Sequence, residues 1–153
     1  MSQASTVPQP ARLWKRAATL GELTLHHVGT LVEHIGIEFV EIGDDFLVAR
    51  MPVDARTRQP AGILHGGASV VLAETLGSVA ATLCLESAQY AVGLDINANH
   101  VRAMRDGWVT GRCRAAHVGR TTHVWQIEIV DAAQRLVCTS RITMAILQVP
   151  QGR

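Results

Sequence analysis

The amino-acid sequence predicts an α+β domain in which a curved antiparallel sheet wraps around one long central helix. Residues 66–87 are apolar on nearly every side, and alternating apolar segments stand both before and after this stretch. A helix with few polar positions has to be covered on most of its surface. Strands grouped before and after a single helix favour an antiparallel sheet packed against it.

Length and charge limit the class of protein. The chain has 153 residues, 48% of them hydrophobic, and a formal net charge of +1. This composition fits one globular domain and gives no electrostatic reason to expect nucleic acid or an acidic membrane as a partner. No stretch has the roughly 18 consecutive apolar residues of a membrane span. We therefore expect a single domain at residues 13–148, a disordered arm at 1–12 and a tail at 149–153.

The cysteines and the N-terminal residues indicate the cellular compartment of the protein. Cys84, Cys113 and Cys138 lie in apolar segments and have no CxxC spacing, so we expect buried free thiols in a reducing compartment. The first dozen residues contain no apolar run of the signal-peptide type. These observations predict a cytoplasmic protein.

Before the long helix, the sequence predicts a short helical segment and a β-hairpin. The stretch LGELTLHHVGTLVEHIG suggests a helix that breaks near Gly29. The following IEFVEIGDDFLVARMPV alternates around a Gly-Asp-Asp turn at residues 43–45, as a hairpin does. The positions expected to face the core are Ile37, Phe39, Ile42, Phe46, Val48 and Met51.

Four strand-like segments follow the helix predicted at residues 66–87. They are YAVGLDINANHV, WVTGRCRAAHV, THVWQIEIVDA and RLVCTSRITMAILQV. In the first, alternation places Val92, Leu94, Ile96 and Ala98 on one face. A sheet of this kind leaves a long edge strand exposed unless a second copy pairs with it, so we expect at least a dimer.

One carboxylate, Glu74, stands in the middle of the apolar helix. Its neighbours three and four residues away are Val70, Val71, Gly77 and Ser78, and the small residues of this face are Gly67, Gly77, Ser78 and Ala81. Small residues permit a close approach by another segment or by a ligand. A buried carboxylate without a partner is suited to general-base chemistry, whereas the alternative is a packing contact in which an arginine pairs with it.

The start of the helix carries a second candidate group. Gly66 and Gly67, after His65, expose the first amides of the helix at the positive end of its dipole, where they can stabilise an oxyanion. The alternative is a glycine-rich turn with His65 near a cap position. Gly66 and Glu74 are eight residues apart, about 12 Å along a helix. The two groups can therefore serve one carbonyl only if antiparallel helices from two chains bring them together.

Three stretches together resemble the hotdog-fold acyl-CoA thioesterases: MPVDARTRQPAGILHGGASVVLAETLGSVA, VGLDINANHVR and HVGRTTHVWQIEI. The resemblance is to the branch of 1,4-dihydroxy-2-naphthoyl-CoA and Arthrobacter-type 4-hydroxybenzoyl-CoA thioesterases, and it covers residues 31–147. It implies the hotdog fold, hydrolysis of an aromatic or hydroxyaromatic acyl-CoA, and a homotetramer built from dimers. It implies no cofactor, because coenzyme A is part of the substrate.

The resemblance also implies roles for the residues that match the family's motifs. Glu74 matches the catalytic acid, as general base or nucleophile, and the Gly66 amide matches the oxyanion donor, with His65 helping to hold the thioester. Gln59 matches a residue that contacts the thioester or the lytic water, and Ser78 matches a hydroxyl residue one turn past the acid. The segments that line the coenzyme A site match Gly93, His100, Val101, Arg102, Ala103, His117, Val118, Gly119, Arg120, Thr121 and Thr122.

Other motifs carry less weight. Arg102, Arg105 and Arg120 suit nucleotide phosphates, although each is equally compatible with a solvated surface. The seven histidines have no H-E-x-x-H spacing, so no metal site is expected, and GASVV lacks the G-x-S-x-G nucleophile elbow. Trp14, Trp108 and Trp125 are interpreted as packing residues.

Two alternatives stay open for the function. The first is a hotdog dehydratase or hydratase acting on acyl carrier protein or CoA, which would need a catalytic histidine in an upstream motif that this sequence lacks. The second is a non-catalytic acyl-CoA-binding module, against which the presence of Glu74 and Gln59 argues. The acyl group and the pathway also stay open, among menaquinone synthesis, aromatic degradation and general CoA turnover.

Overall fold

In the computed structural model, which describes residues 13–150, one antiparallel sheet of six strands surrounds a long helix. The elements are α1 (Leu20–His26), α2 (Leu31–His34), β1 (Glu38–Ile42), β2 (Phe46–Pro52), α3 (Gly66–Leu83), β3 (Gln89–His100), β4 (Trp108–Val118), β5 (Thr122–Val130) and β6 (Leu136–Gln148). The strand order β1-β2-β4-β5-β6-β3 puts β3 at one edge. The predicted α+β class is confirmed, while the predicted arm at 1–12 and tail residues 151–153 lie outside the described residues.

Local signals define the two short helices. The Thr19 hydroxyl accepts a hydrogen bond from the Glu22 amide, and the Glu22 carboxylate accepts one from the Thr19 amide at 2.7 Å. This capping box starts α1. The predicted break is confirmed at Gly29, whose φ of +76° is easily adopted only by glycine.

The β1–β2 hairpin turns at residues 43–45 as predicted, but the core face of β2 differs from the prediction. Leu47, Ala49 and Met51 are fully buried in the core. Because side chains alternate along a strand, Phe46 and Val48 lie on the opposite face from Met51. The assignment of Phe46 to the core was wrong, whereas Val48 is buried, at 5% exposure. Phe46 packs on the outer face, where the Arg112 guanidinium lies 4.0 Å from its ring centroid.

The long helix α3 ends at Leu83, four residues before the predicted end at 87. The backbone amides of Lys15 and Arg16 both donate to the Leu83 carbonyl oxygen, at 2.8 and 2.9 Å. The N-terminal segment therefore satisfies a carbonyl that another helical turn would have used. The sequence around Ser87 does not indicate this contact, because Lys15 and Arg16 lie about 70 residues earlier in the chain.

The packing of α3 explains its apolar composition. The helix contacts β2, β3, β4, β5 and β6, and Leu72, Ala73, Leu76 and Ala80 are fully buried. By its length of 18 residues and mean hydropathy of 1.3, α3 also resembles a membrane-spanning helix. Core helices of folded domains meet the same criteria, and the surrounding sheet accounts for this one.

Gly77 marks the closest approach of α3 to the sheet. A Cβ at this position would lie 2.4 Å from Cγ2 of Ile142. We expect Gly77→Ala to lower the free energy of unfolding by about 1–3 kcal/mol, because the added methyl overpacks the core. Urea denaturation measures this, with Gly21→Ala in α1 as the control, since a Cβ there meets only Thr19 Oγ1 at 4.0 Å. Equal stability of the Gly77→Ala variant and wild type would contradict the prediction.

A β-bulge changes the face pattern of the edge strand β3. Gly93 pairs with Met144 and Asp95 with Thr143, which leaves Leu94 between them without a partner. Leu94 is 65% exposed and Val92 38% exposed, whereas the inward positions are Ala91, Ile96 and Ala98. The predicted common face of Val92, Leu94 and Ile96 was wrong, because one extra residue shifts the alternation.

The cysteines and two of the tryptophans are packing residues, as predicted. All three cysteines are buried free thiols, and burial raises the pKa of the Cys84 thiol to about 11, which keeps it protonated near neutral pH. Trp14 and Trp125 stack in the core with ring centroids 6.1 Å apart.

Candidate active site

The first turn of α3 leaves one backbone amide available. His65 is the N-cap residue, and its Nδ1 accepts a hydrogen bond from the Gly67 amide at 2.8 Å. The Gly66 amide donates to no acceptor in the part of the chain that the structure describes. His65 therefore acts as the cap that we gave as the alternative, and Gly66 remains a donor.

A cavity of about 370 Å³ opens at this end of α3. The structure brings predicted residues from three parts of the chain to it, together with residues that were not predicted. They are Gln59, Ile63, Leu64, Gly66, Ser69, His100, Val101, Arg102, Ala103 and Val137. The His100 ring lies against Gly66, where an added Cβ would be 2.8 Å from Nε2. Glycine at 66 thus lets β3 and the start of α3 approach closely.

Four residues line this cavity but were not predicted: Ile63, Leu64, Ser69 and Val137. Ser69 lies four residues after His65, and this helical spacing is a signal that could have identified it. Val137 has no comparable signal, because it reaches the site through β6, where its carbonyl oxygen accepts from the Val101 amide at 2.9 Å.

Glu74 is exposed in the single chain and lies on an open face of α3. This open face consists of exposed or half-buried residues: Gly67, Val70, Val71, Glu74, Ser78 and Thr82. Within residues 13–150, no ion pair or hydrogen bond holds the Glu74 carboxylate, so the arginine-paired alternative is not found there. The expectation that the helix is covered on most sides was wrong for this face. A Cβ at Gly93 would lie 3.2 Å from Glu74 Oε1, which means that Gly93 makes room for the carboxylate.

The residues His117 to Thr122 lie elsewhere in the single chain. Of this run, Val118, Gly119 and Arg120 line a second cavity of about 400 Å³ at the C-terminal end of α3, beside Lys15 and Cys84. His123 also lines it, and burial lowers the pKa of its imidazole. Within one chain, the structure therefore does not bring this run together with His100 and Arg102. Among the described residues, no three His, Cys, Asp or Glu side chains could hold a metal ion.

A groove of about 370 Å³ also meets the start of α3, where His65 and Gly67 line it. It runs between α2 and the first turns of α3 and is lined by Leu31, Ile35, Arg56, Thr57, Arg58, His65, Gly67, Ala68 and Val71. We call it the α2–α3 groove. None of its apolar residues was predicted as part of a site.

The sheet wrapped around α3, with glycines at the helix start, is the architecture of a hotdog-fold protein, as the resemblance implied. A sequence profile of the thioesterase superfamily matches residues 61–138, which is over half of the chain. The chain belongs to the thioesterase superfamily, and the protein is an enzyme that hydrolyses thioesters. This assignment favours thioester hydrolysis over the dehydratase and over the non-catalytic module.

Individual relatives support the same assignment. The 1,4-dihydroxy-2-naphthoyl-CoA hydrolase of Escherichia coli strain K12 is 57% identical over 135 residues, which cover 88% of this chain and 99% of the relative. The crystal structure of a thioesterase from Haemophilus influenzae has a TM-score of 0.89 at 48% identity and covers 92% of this chain and 99% of its own. A Staphylococcus aureus thioesterase, solved as a Gln-to-Ala variant, has a TM-score of 0.73 at 36% identity and covers 76% of this chain and 97% of its own. The same protein was also solved as a Glu-to-Ala variant.

Proposed function

We propose that the protein hydrolyses an acyl-CoA with an aromatic or hydroxyaromatic acyl group, releasing the free acid and CoA. Glu74 is the general base or nucleophile, and the Gly66 amide of the partner subunit is the oxyanion donor. The observation that carries this proposal is the unused Gly66 amide beside a cavity that also contains Gln59 and His100. The cavity contains no carboxylate that could act as the base. We assign this role to Glu74, which faces outward on the same helix without a partner among the described residues.

The proposed reaction balances with these groups and water alone. Glu74 takes a proton from water while the water oxygen attacks the thioester carbon, and the Gly66 amide stabilises the resulting oxyanion. When the carbon–sulfur bond breaks, CoA leaves as a thiol with the proton that Glu74 had taken. If Glu74 is instead the nucleophile, an anhydride with its carboxylate forms first and water then cleaves it. Neither route requires a metal or another cofactor.

The spacing of Gln59 and Glu74 supports their assignment as a functional pair. They are 15 residues apart, and the glutamine and glutamate replaced in the two Staphylococcus aureus structures have the same separation. Gln59 lies at the cavity with Gly66, so it is placed to orient the thioester or the attacking water.

The proposed site needs two chains. Gly66 and Glu74 are about 12 Å apart along one helix, so the carboxylate cannot reach a carbonyl held at the amide of its own chain. Antiparallel packing of two α3 helices through their open faces would bring Glu74 of one chain to Gly66 of the other. The same packing brings the turn at residues 117–122 of one chain towards residues 100–103 of the other, where both could bind CoA. We extend this dimer to a homotetramer, as the resemblance implies, and place it in the cytoplasm, as the cysteines and the first dozen residues predict.

The exposed edge of β3 is the surface through which we expect the dimer to form. Leu94→Lys should give monomers and little hydrolysis, because a charge on an edge strand opposes pairing with another strand. Sedimentation velocity and CoA release measure the two effects. Leu25→Lys is the control, since Leu25 is 74% exposed but lies on α1. Dimers that persist in the Leu94→Lys variant, or a monomeric wild type, would contradict this interface.

A hydrolysis screen tests the proposed substrate class. The substrates are benzoyl-, 4-hydroxybenzoyl-, dihydroxynaphthoyl-, phenylacetyl- and fatty acyl-CoA, and free CoA is measured with a thiol reagent. We expect the highest kcat/KM among the aromatic and hydroxyaromatic acyl groups. A preference for fatty acyl-CoA would overturn the aromatic assignment, and the absence of CoA release from every member would overturn acyl-CoA as the substrate.

A further inference from the structure

The β4–β5 turn (residues 117–122) is followed at once by a buried histidine. Val118 and His123 pair across the two strands, and the Gly119 amide donates to the Thr122 carbonyl oxygen at 2.9 Å. His123 is only 2% exposed although most of the turn is exposed, and it lines the second cavity together with Val118 and Gly119. The imidazole is therefore the buried group at the base of the turn.

The His123 imidazole also packs against the aromatic residues of the core. It lies edge-on to the Trp125 ring, with the ring centroids 6.1 Å apart, which is a favoured geometry for such a pair. Trp125 in turn stacks on Trp14, whose Nε1 donates to the Gly43 carbonyl oxygen at 2.6 Å. His123 thus connects an exposed turn with a fixed part of the core.

The His123 imidazole has no group that would stabilise a second proton. An imidazolium donates from both ring nitrogens, but Nδ1 is buried and has no hydrogen-bond partner among the described residues. The carboxylate that lines the same cavity, Glu86, is in an ion pair with Lys15 at 2.9 Å. Cys84 is neutral near neutral pH, since burial raises the pKa of its thiol to about 11, and β6 contributes the apolar Ile146. A proton gained by His123 would therefore lack an acceptor and a counter-charge.

The charges around the ring oppose its protonation as well. Burial lowers the pKa of the His123 imidazole, and a hydrogen-bonding backbone group of Gly119 offsets part of this shift. The positive charges of His117 and Lys15 lower the pKa further. Arg120 brings another positive charge to the same cavity. His123 is therefore neutral at neutral pH and gains a proton only below the ordinary imidazole value of about 6.5.

We infer that His123 is a positioning residue for coenzyme A: its neutral imidazole keeps the β4–β5 turn in place for the acyl-CoA site of the partner subunit, and a protonated imidazole releases the turn and weakens binding. This inference rests on the proposed function, because it takes residues 117–122 as part of a CoA site shared by two chains. It adds to that function a residue outside the catalytic groups and a dependence of substrate affinity on pH.

The direction of the pH effect follows from proton linkage. The pKa of His123 is lower in the folded chain than in the unfolded chain, so the unfolded chain binds more protons. Stability conferred by the neutral ring is present above about pH 6.5 and is lost as the pH falls from there towards the lowered pKa. The turn can respond without unfolding of the core, because it borders the second cavity and most of its residues are exposed.

The pH dependence of CoA binding tests this role. Calorimetric titration with CoA gives Kd from about pH 7.5 to about pH 5, on both sides of the ordinary imidazole pKa. It is measured for wild type and for His123→Gln, whose amide is polar but does not titrate. We expect wild type to lose about tenfold more affinity than the variant, because bound CoA holds the turn over the ring and makes its protonation harder by the same factor. The phosphates of CoA titrate with both proteins, so the comparison cancels their effect.

Two further measurements separate positioning from a general loss of structure. The KM for benzoyl-CoA should follow Kd, while kcat follows the same pH curve in wild type and His123→Gln. A merely structural role would change kcat and KM together at every pH. His26→Gln, which removes an exposed imidazole from α1, is the control and should keep the pH dependence of wild type.

Wild type alone provides a test that needs no variant. NMR titration of the His123 imidazole, assigned through its contact with Trp125, should give a lower midpoint with CoA bound than without it. A midpoint that CoA leaves unchanged, or the same pH dependence of Kd in wild type and His123→Gln, would overturn the role of His123. In that case CoA release by wild type at neutral pH would still support the proposed function. The proposed function fails instead if no acyl-CoA is hydrolysed at any pH, so the two failures are distinguishable.

Discussion

Replacing Glu74 with alanine is expected to lower kcat for acyl-CoA hydrolysis by about 10²–10⁴-fold, the usual contribution of a general base. The loss should be larger still if Glu74 is the nucleophile, because no acyl-enzyme can then form. Glu74 is exposed and makes no ion pair or side-chain hydrogen bond within the described ranges, so its removal should leave the fold and the binding of CoA nearly unchanged. CoA release at saturating substrate measures kcat, and calorimetric titration with CoA measures binding.

Two further variants separate chemistry from charge. Glu74→Gln keeps the shape of the side chain and removes its basicity, so it should be nearly as impaired as Glu74→Ala. Glu128→Ala, which removes an exposed carboxylate from β5, is the control and should hydrolyse at the wild-type rate. If Glu74→Ala keeps kcat within about twofold of wild type, where general-base catalysis predicts a far larger loss, Glu74 is not the catalytic acid. A burst of CoA ahead of free acid in a single turnover would identify Glu74 as nucleophile rather than base.

Replacing Gly66 with proline is expected to lower kcat/KM by about 10²–10³-fold, the typical loss on removing one oxyanion donor. Proline removes the amide hydrogen that no described residue accepts, and the first helical position tolerates proline well, although its ring also adds atoms beside His100. The preceding residue, His65, has φ −71° and ψ 130°, an extended conformation that suits a residue before proline.

Gly66→Ala is the matched control for this variant. An added Cβ meets the His100 ring in both variants, at 2.8 Å from Nε2, but alanine keeps the amide hydrogen. The comparison therefore removes the effect of the added Cβ, and the remaining difference in kcat/KM reports the loss of the amide hydrogen together with the rest of the proline ring. Equal activities would show that the Gly66 amide does not stabilise the reacting carbonyl.

Mixing the two inactive variants tests whether the site is shared between chains. In a heterodimer of Glu74→Ala with Gly66→Pro, one site combines the intact Gly66 of the first chain with the intact Glu74 of the second. Random exchange makes half of the dimers heterodimers with one working site each, so about a quarter of wild-type activity should return. If both groups acted within one chain, every chain would lack one of them and mixing would restore nothing.

Several features of the fold and site followed from local sequence. The capping box of Thr19 and Glu22 and the helix break at Gly29 each depend on residues within one or two helical turns. The break at Gly29 was predicted from the sequence. The hairpin turn at residues 43–45 and the start of α3 at Gly66 are local in the same sense. Three stretches of sequence taken together also sufficed to indicate the family of the chain.

Other features depended on contacts between distant segments. The end of α3 at Leu83 is set by amides of residues 15 and 16, and the outward position of Val92 and Leu94 is set by a bulge against β6. Val137 joins the cavity only because β3 and β6 pair. None of these contacts can be recognised from the pattern of apolar residues in the segment that it affects.

The sequence by itself determined the elements, the class of enzyme and the candidate catalytic groups, because helix starts, turns and motifs are encoded within a few neighbouring residues. Only the tertiary structure decided that Glu74 is on an open helix face and that Gln59 and His100 share a cavity with Gly66. These relations depend on strand register and on how α2, α3 and β3 pack. Such packing joins residues far apart in the chain, so local patterns do not specify it.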